Sequence, residues 1–208
     1  MIKIVPYSRQ RLNNTEGMLH VVILSLNNCI THIFVIMGRK LRMIKNAKYW
    51  IEKLHLSELH DEGGYFKESS RSDKIIQLES DGDRSLSSAI YYLLDGKQGQ
   101  YSAFHKLGCD EMWHFYDGSS LTLYIINDNA DLSAIKLGNN MENGEYLQIL
   151  VKAGSWFGAT VNDQSSYTLV GCTCSPGFDY RDFELAKRKE LDEMYPQHKL
   201  IIEKLTRS

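Results

Sequence analysis

The strongest constraint on this chain is its punctuation. Between residues 65 and 174, short apolar runs are cut at regular intervals by turn-forming clusters: Asp81-Gly82-Asp83, Asp95-Gly96, Asp117-Gly118, Asn127-Asp128-Asn129, Gly138-Asn139-Asn140, Gly144 and Asn162-Asp163. Asn and Asp side chains hydrogen-bond the nearby backbone, and glycine accepts positive φ, so each cluster favours a chain reversal. The runs between them read as strands rather than helices. Nine are expected, at 65–72, 87–94, 100–107, 111–116, 121–126, 132–137, 146–152, 155–161 and 167–174. That number at that spacing predicts a β-sandwich or barrel.

Helices are expected on either side. Trp50, Ile51, Leu54, Leu56 and Leu59 have helical spacing, and the paired glycines Gly63-Gly64 favour a turn after them. Pro176-Gly177 stops the sheet, and residues 179–195 resume a helical pattern through Phe183, Leu185, Ala186, Leu191 and Met194. Pro196 ends it, and 200–205 form a short final helix or strand. No linker, repeat or low-complexity tract interrupts residues 46–208, so one domain over 46–206 is expected.

The first 45 residues are a separate, basic and apolar extension. Residues 1–48 hold eight Lys/Arg and one acid, whereas 49–208 hold 16 Lys/Arg and 25 acids. The run 18–37 is nearly long enough to span a bilayer, but His20, Asn27, Asn28, Thr31 and His32 interrupt it. The extension therefore reads as a disordered tail, a targeting or anchoring segment, or residues preceding a start at Met37 or Met43. The net charge of −2 gives no electrostatic footprint for nucleic acid. Four cysteines without a C-x-x-C pair indicate free thiols in a reducing compartment, and a cytoplasmic body with no membrane association is expected.

The densest chemistry lies in 104–118, FHKLGCDEMWHFYDG. Strand alternation puts His105 with Ala103 and Leu107, and Glu111 with Trp113 and Phe115, while His114 points away from Glu111. A buried His and Glu on adjacent strands can move protons, hold a metal, or satisfy each other's hydrogen bonds. Trp113 and Trp156 are core residues or stacking platforms for a flat ligand. Arg71, at a strand end, is a candidate anion holder. Tyr91, Tyr92 and Tyr167 supply phenols. The phosphate-loop, dinucleotide, nucleophile-elbow and H-E-x-x-H motifs are all missing.

Five collinear segments, HDEGGYFKESSRS, SAIYYLL, FHKLGCDEMWHFYDG, KAGSWFGA and YTLVGCTCSPGFDYRDFEL, resemble a family of small single-domain cupins over about residues 46–206. The resemblance implies a double-stranded β-helix, the jelly-roll barrel related in shape to sugar epimerases, and a homodimer. The usual cupin metal motifs are incomplete. His105, Glu111 and Gly118 match the first, but Leu107 replaces its second histidine. Lys152, Gly154 and Phe157 stand in the second, which thereby lacks its proline and histidine. No cofactor is expected, since only His105 and Glu111 remain for a divalent metal. Asp61 stands where the family usually has proline before Glu62.

By analogy with the metal-free epimerase cupins, His105 is the expected base, oriented by Glu111, with Tyr92 or Tyr167 as acid. Arg71 and Lys106 would hold a phosphate or carboxylate. The expected function is binding of a small polar, sugar-like metabolite, with isomerase-like proton transfer. The alternatives are a non-catalytic binding module and a metal-dependent enzyme with an unusual ligand set.

Overall fold

The computed structural model describes residues 20–26, 29–37, 40–43, 45–78 and 82–207, and before residue 45 it describes strand pairing alone. The chain divides into two units, 1–45 and 46–208. In the first, β1 (His20–Leu26), β2 (Cys29–Met37) and β3 (Lys40–Met43) form an antiparallel meander with β2 central. Of the segment 1–45 read as a tail, a targeting or anchoring segment, or residues before a later start, residues 1–19, 27–28, 38–39 and 44 lie outside the described residues. No helix among the described residues is long and apolar enough to cross a membrane.

The second unit opens with α1 (Ala47–Leu54), whose first turn is capped by the Asn46 side chain accepting the Tyr49 N–H at 2.8 Å. The strands then run β4 (Ser57–Glu58), β5 (Tyr65–Arg71), β6 (Ile75–Leu78), β7 (Gly82–Ser85), β8 (Ser88–Asp95), β9 (Tyr101–Lys106), β10 (Asp110–Gly118), β11 (Leu121–Ile126), β12 (Leu132–Leu137), β13 (Glu145–Tyr146), β14 (Gln148–Val151), β15 (Trp156–Val161), β16 (Tyr167–Ser175) and β17 (Glu184–Leu185). α2 (Arg188–Met194) and α3 (Lys199–Leu205) close the unit.

These strands form two six-stranded sheets, β14-β10-β16-β8-β5-β4 and β13-β12-β11-β15-β9-β17, with β6 and β7 as a separate hairpin. The expected closed jelly-roll barrel is therefore corrected. Neither sheet closes on itself, and among the described residues no ladder joins one to the other. The edge strands β4, β13 and β17 are two residues long, too short to carry hydrogen bonding around a corner. The architecture is a pair of open sheets arranged as in cupins.

Alternation explains what each face carries. Leu121, Leu123, Ile149, Val151, Val161 and Val170 belong to the core cluster between the sheets. The outward residues of β9 and β15, Phe104 and Trp156, pack with Leu191, Ile202 and Leu205 of α2 and α3. Leu93, Tyr167 and Leu169 pack with α1. The helix expected over 179–195 is shorter. A single 3₁₀ turn at Tyr180–Asp182 is capped by Asp179, and Glu184–Leu185 joins β9 as a strand before α2 begins. The β6–β7 hairpin was not among the expected strands.

Candidate functional site

A cavity of about 370 Å³ opens on the inner face of the β10-containing sheet. Alternation on three neighbouring strands aims its lining inward: Ser88, Ile90 and Tyr92 from β8, Glu111 and Trp113 from β10, Cys172 and Cys174 from β16. β5 adds Phe66, Glu68 and Arg71. Glu68 and Arg71 are three apart and would face opposite sides of a regular strand. A bulge at Ser69 shifts the register against β8 between Glu68 and Ser70, which returns Arg71 to the cavity side.

His105 enters from the opposite sheet and is 2% exposed. β9 also breaks register: Phe157 faces His105, but Ala159 faces Ser102. The irregular backbone passes so close to β15 that a Cβ on Gly158 would lie 2.8 Å from the Ser102 carbonyl oxygen. In this segment the Ala103 carbonyl accepts a hydrogen bond from His105 Nδ1 at 2.8 Å. A carbonyl only accepts, so Nδ1 carries the proton and, in the neutral ring, Nε2 carries the lone pair. The ring is held between Phe157, with centroids 4.1 Å apart, and a stacked Phe183 at 5.5 Å.

Two carboxyl groups accompany Nε2. Glu62 Oε2 lies 4.0 Å away, and Glu62 Oε1 accepts the Ser102 hydroxyl at 2.8 Å. Glu62 precedes Gly63 and Gly64, both at positive φ, and a Cβ on Gly63 would lie 2.3 Å from the Tyr101 carbonyl oxygen. Glu111, 7% exposed, accepts the Trp113 indole N–H at 2.6 Å and the Cys174 thiol at 3.8 Å. Burial pushes its pKa up to about 7, with Glu62 adding to the rise, while His105 and the Trp113 bond pull it down. Burial and the Glu111 charge likewise push the Cys172 thiol well up.

The other expected residues divide clearly. Tyr92 lines the cavity, but its hydroxyl donates to the Gly63 carbonyl at 2.8 Å, and burial raises its pKa well above the usual value. Arg71 is at the mouth, paired with Glu68 at 2.6 Å and donating to the Phe178 carbonyl at 3.0 Å. Trp113 lines the cavity. Trp156 does not: its register partner is Lys106, and it faces the helices under the Lys106 ammonium. Tyr167 is also outside the lining, bonded to Asp117 and Trp50. Lys106 pairs with Glu184 at 2.8 Å.

His105 takes its orientation from Ala103, and no direct hydrogen bond joins it to Glu111. Glu62, which the sequence reading left without a role, is the carboxylate nearest Nε2. The signal for it was the Glu-Gly-Gly turn itself, since paired glycines at positive φ fix the side chain before them.

At the positions of the usual cupin metal ligands stand His105, Leu107, Glu111 and Phe157, and two of these have no donor atom. Among the described residues no group of three or more His, Cys, Asp or Glu is placed to hold a metal ion. The residues present do not fit a resident transition metal.

Two open sheets with a ligand-sized cavity and a histidine–carboxylate centre define a cupin-type protein. The chain belongs to the family described as Cupin superfamily (DUF985), whose profile matches residues 48–186. A crystal structure of a Shewanella oneidensis protein is similar at 42% identity and a TM-score of 0.72, covering 79% of this chain and 99% of that one. A hypothetical protein from Leishmania major is similar at 34% identity and a TM-score of 0.73, covering 79% of this chain and all of that one. An uncharacterized Saccharomyces cerevisiae protein is 26% identical over 144 residues, 63% of this chain and 71% of that protein.

Proposed function

We propose that the second unit binds a small polar metabolite in this cavity and moves a proton on it without a metal. One observation carries the reading: a buried histidine whose Nδ1–H is committed to the Ala103 carbonyl. Its Nε2 is left as the available base beside Glu62. In the proposed step Nε2 takes a proton from a carbon beside a carbonyl, and Glu62 steadies the imidazolium that forms. Glu111, with a pKa of about 7, holds a proton to hydrogen-bond the enolate oxygen. Tyr92 fixes the Gly63 turn rather than serving as the acid. With the oxygen protonated by Glu111, Nε2 returns the carbon proton to the neighbouring carbon of the resulting enediol as the Glu111 carboxylate takes up the proton of the other hydroxyl, which completes an isomerisation and restores both groups.

The test is native mass spectrometry of the full chain, followed by incubation of the captured molecule or a panel of small ketoses and aldoses in D₂O. Deuterium appearing at a carbon beside the carbonyl, and lost in His105→Asn, is the expected result. Capture without exchange identifies a binding module instead. One equivalent of transition metal that is lost in His105→Asn replaces the proposal with metal chemistry.

The homodimer expectation is retained as part of this proposal. Tyr146, Leu147 and Leu150 are exposed along the β14 side of the unit, where a second copy would cover apolar surface. Sedimentation equilibrium giving a monomer at micromolar concentration removes it.

A further inference from the structure

The charge of the cavity selects its ligand. Five carboxyl groups line it, at Asp61, Glu62, Glu68, Glu111 and Asp179, against one arginine, Arg71, and one histidine, His105. The expected anion holders are already engaged. Arg71 is occupied by Glu68 and the Phe178 carbonyl, and Lys106 is paired with Glu184 outside the lining. Asp179 in turn is taken by Arg181 at 2.7 Å. That leaves Asp61 and Glu62, neither of which has a Lys or Arg side chain within ion-pair distance among the described residues, and Glu111, which the proposed step keeps protonated.

The remaining walls are aromatic. Phe66, Tyr92, Trp113, Phe178, Tyr180 and Phe183 present rings to the same space. Ring faces attract cations and offer nothing to a phosphate or carboxylate. A charged anion entering here would lose its water and face carboxylates, whereas an ammonium would meet carboxylates and ring faces together.

We infer that the metabolite taken by this cavity carries a protonated amine, held by Asp61 and Glu62 and flanked by the aromatic walls, and is not a phosphorylated or carboxylated compound. The inference rests on the proposed binding role of the same cavity and specifies its ligand class.

Glucosamine, glucose and glucose 6-phosphate share one ring and differ in charge, so they serve as probes. Their binding to the full chain is measured by calorimetry and by ligand-observed saturation-transfer NMR at pH 7. Glucosamine is expected to bind at least tenfold tighter than glucose, with no binding of glucose 6-phosphate. In Glu62→Gln and, separately, in the rim variant Asp61→Asn, the ratio of glucosamine to glucose affinity falls severalfold. Thermal melting checks that both variants fold.

Equal affinity for glucosamine and glucose overturns the charge assignment and leaves the cavity as a binding site for neutral polyols. Preference for glucose 6-phosphate overturns it in favour of Arg71. No saturable binding of any probe overturns both the ligand class and the binding role.

Discussion

The two sheets share one interior and put different chemistry into it. The inner face of the β11-containing sheet is apolar through Leu121, Leu123, Leu137, Ala159 and Val161, all fully or almost fully buried. Among the described residues its one titratable contribution to the cavity is His105. The β10-containing sheet instead turns Glu68, Arg71, Tyr92, Glu111, Cys172 and Cys174 toward the same space. Buried ionisable groups cost stability, and close-packed aliphatic side chains supply it. One wall holds the fold together, and the other is thereby free to carry groups that a core would reject.

The largest effect expected from this contrast is on the aliphatic wall. Leu123→Ala removes a fully buried side chain and should lower unfolding free energy by about 3 kcal/mol in urea titrations. A loss below about 1 kcal/mol would mean that this wall is not the one bearing the load.

Glu111→Gln tests the other wall, and its effect has a defined pH dependence. The folded state holds the Glu111 proton up to about pH 7, whereas the unfolded chain releases it near the ordinary value of 4.5. The native state therefore binds the extra proton between these values, and stability falls as pH rises through them. The variant lacks this dependence. Its stability relative to the parent should improve from pH 4.5 to pH 8 by about 3 kcal/mol, from the linkage of about 1.4 kcal/mol per pKa unit. A difference that stays flat across that range breaks the contrast between the walls.

A smaller effect is expected where the register break between β9 and β15 adjoins the cavity. Gly158→Ala forces a methyl toward the Ser102 carbonyl at 2.8 Å and the Phe104 nitrogen at 3.2 Å, at a cost of about 2 kcal/mol. It should also shift the His105 ring resonances in NMR spectra, because β9 must move to make room. Unchanged His105 signals would separate that strand's geometry from the site.

Least of all should follow from Lys106→Ala. Its ion pair with Glu184 is partly solvated, and such pairs are worth about 0–1 kcal/mol. Probe binding to the cavity should not change, which calorimetry checks. A fall in affinity would bring Lys106 into the site after all.

Much of the fold was legible because turn chemistry and alternation are local. The turn clusters bounded the nine strands to within a residue or two at most ends, and the period of two put Glu111 beside Trp113 and sent His114 to the other face, where it meets Thr173 and Gln148. Closure was not legible. Whether β4, β13 and β17 extend or stop after two residues is decided by tertiary contacts rather than by their own composition. The helical pattern at 179–185 was overridden for the same reason, since Phe183 is drawn to the His105 ring and Glu184–Leu185 to β9.

The lining of the cavity was legible in part. His105, Glu111, Tyr92, Trp113 and Arg71 all line the cavity, and Trp156 and Tyr167 do not. Trp156 alternates with Phe157, and Phe157 faces His105, so the pairing register that sends Trp156 outward is information a single strand does not contain. Glu62 lacked an apolar strand around it to signal an inward side chain, and its position depends on the backbone of two glycines.

The bulge at Ser69 makes the cavity mouth sensitive to counting rather than to chemistry. Its hydroxyl donates to the Ala89 carbonyl at 3.1 Å, but its larger contribution is to be one residue too many. Replacing it with another small residue keeps the spacing. Deleting it would leave Glu68 and Arg71 two apart on the same face of a regular strand, whereas inserting a further residue beside it would rotate Arg71 to the far face and leave Glu68 without the guanidinium that neutralises it. Here a one-residue insertion could reverse the local charge of an entrance while every charged side chain around it remained in the sequence.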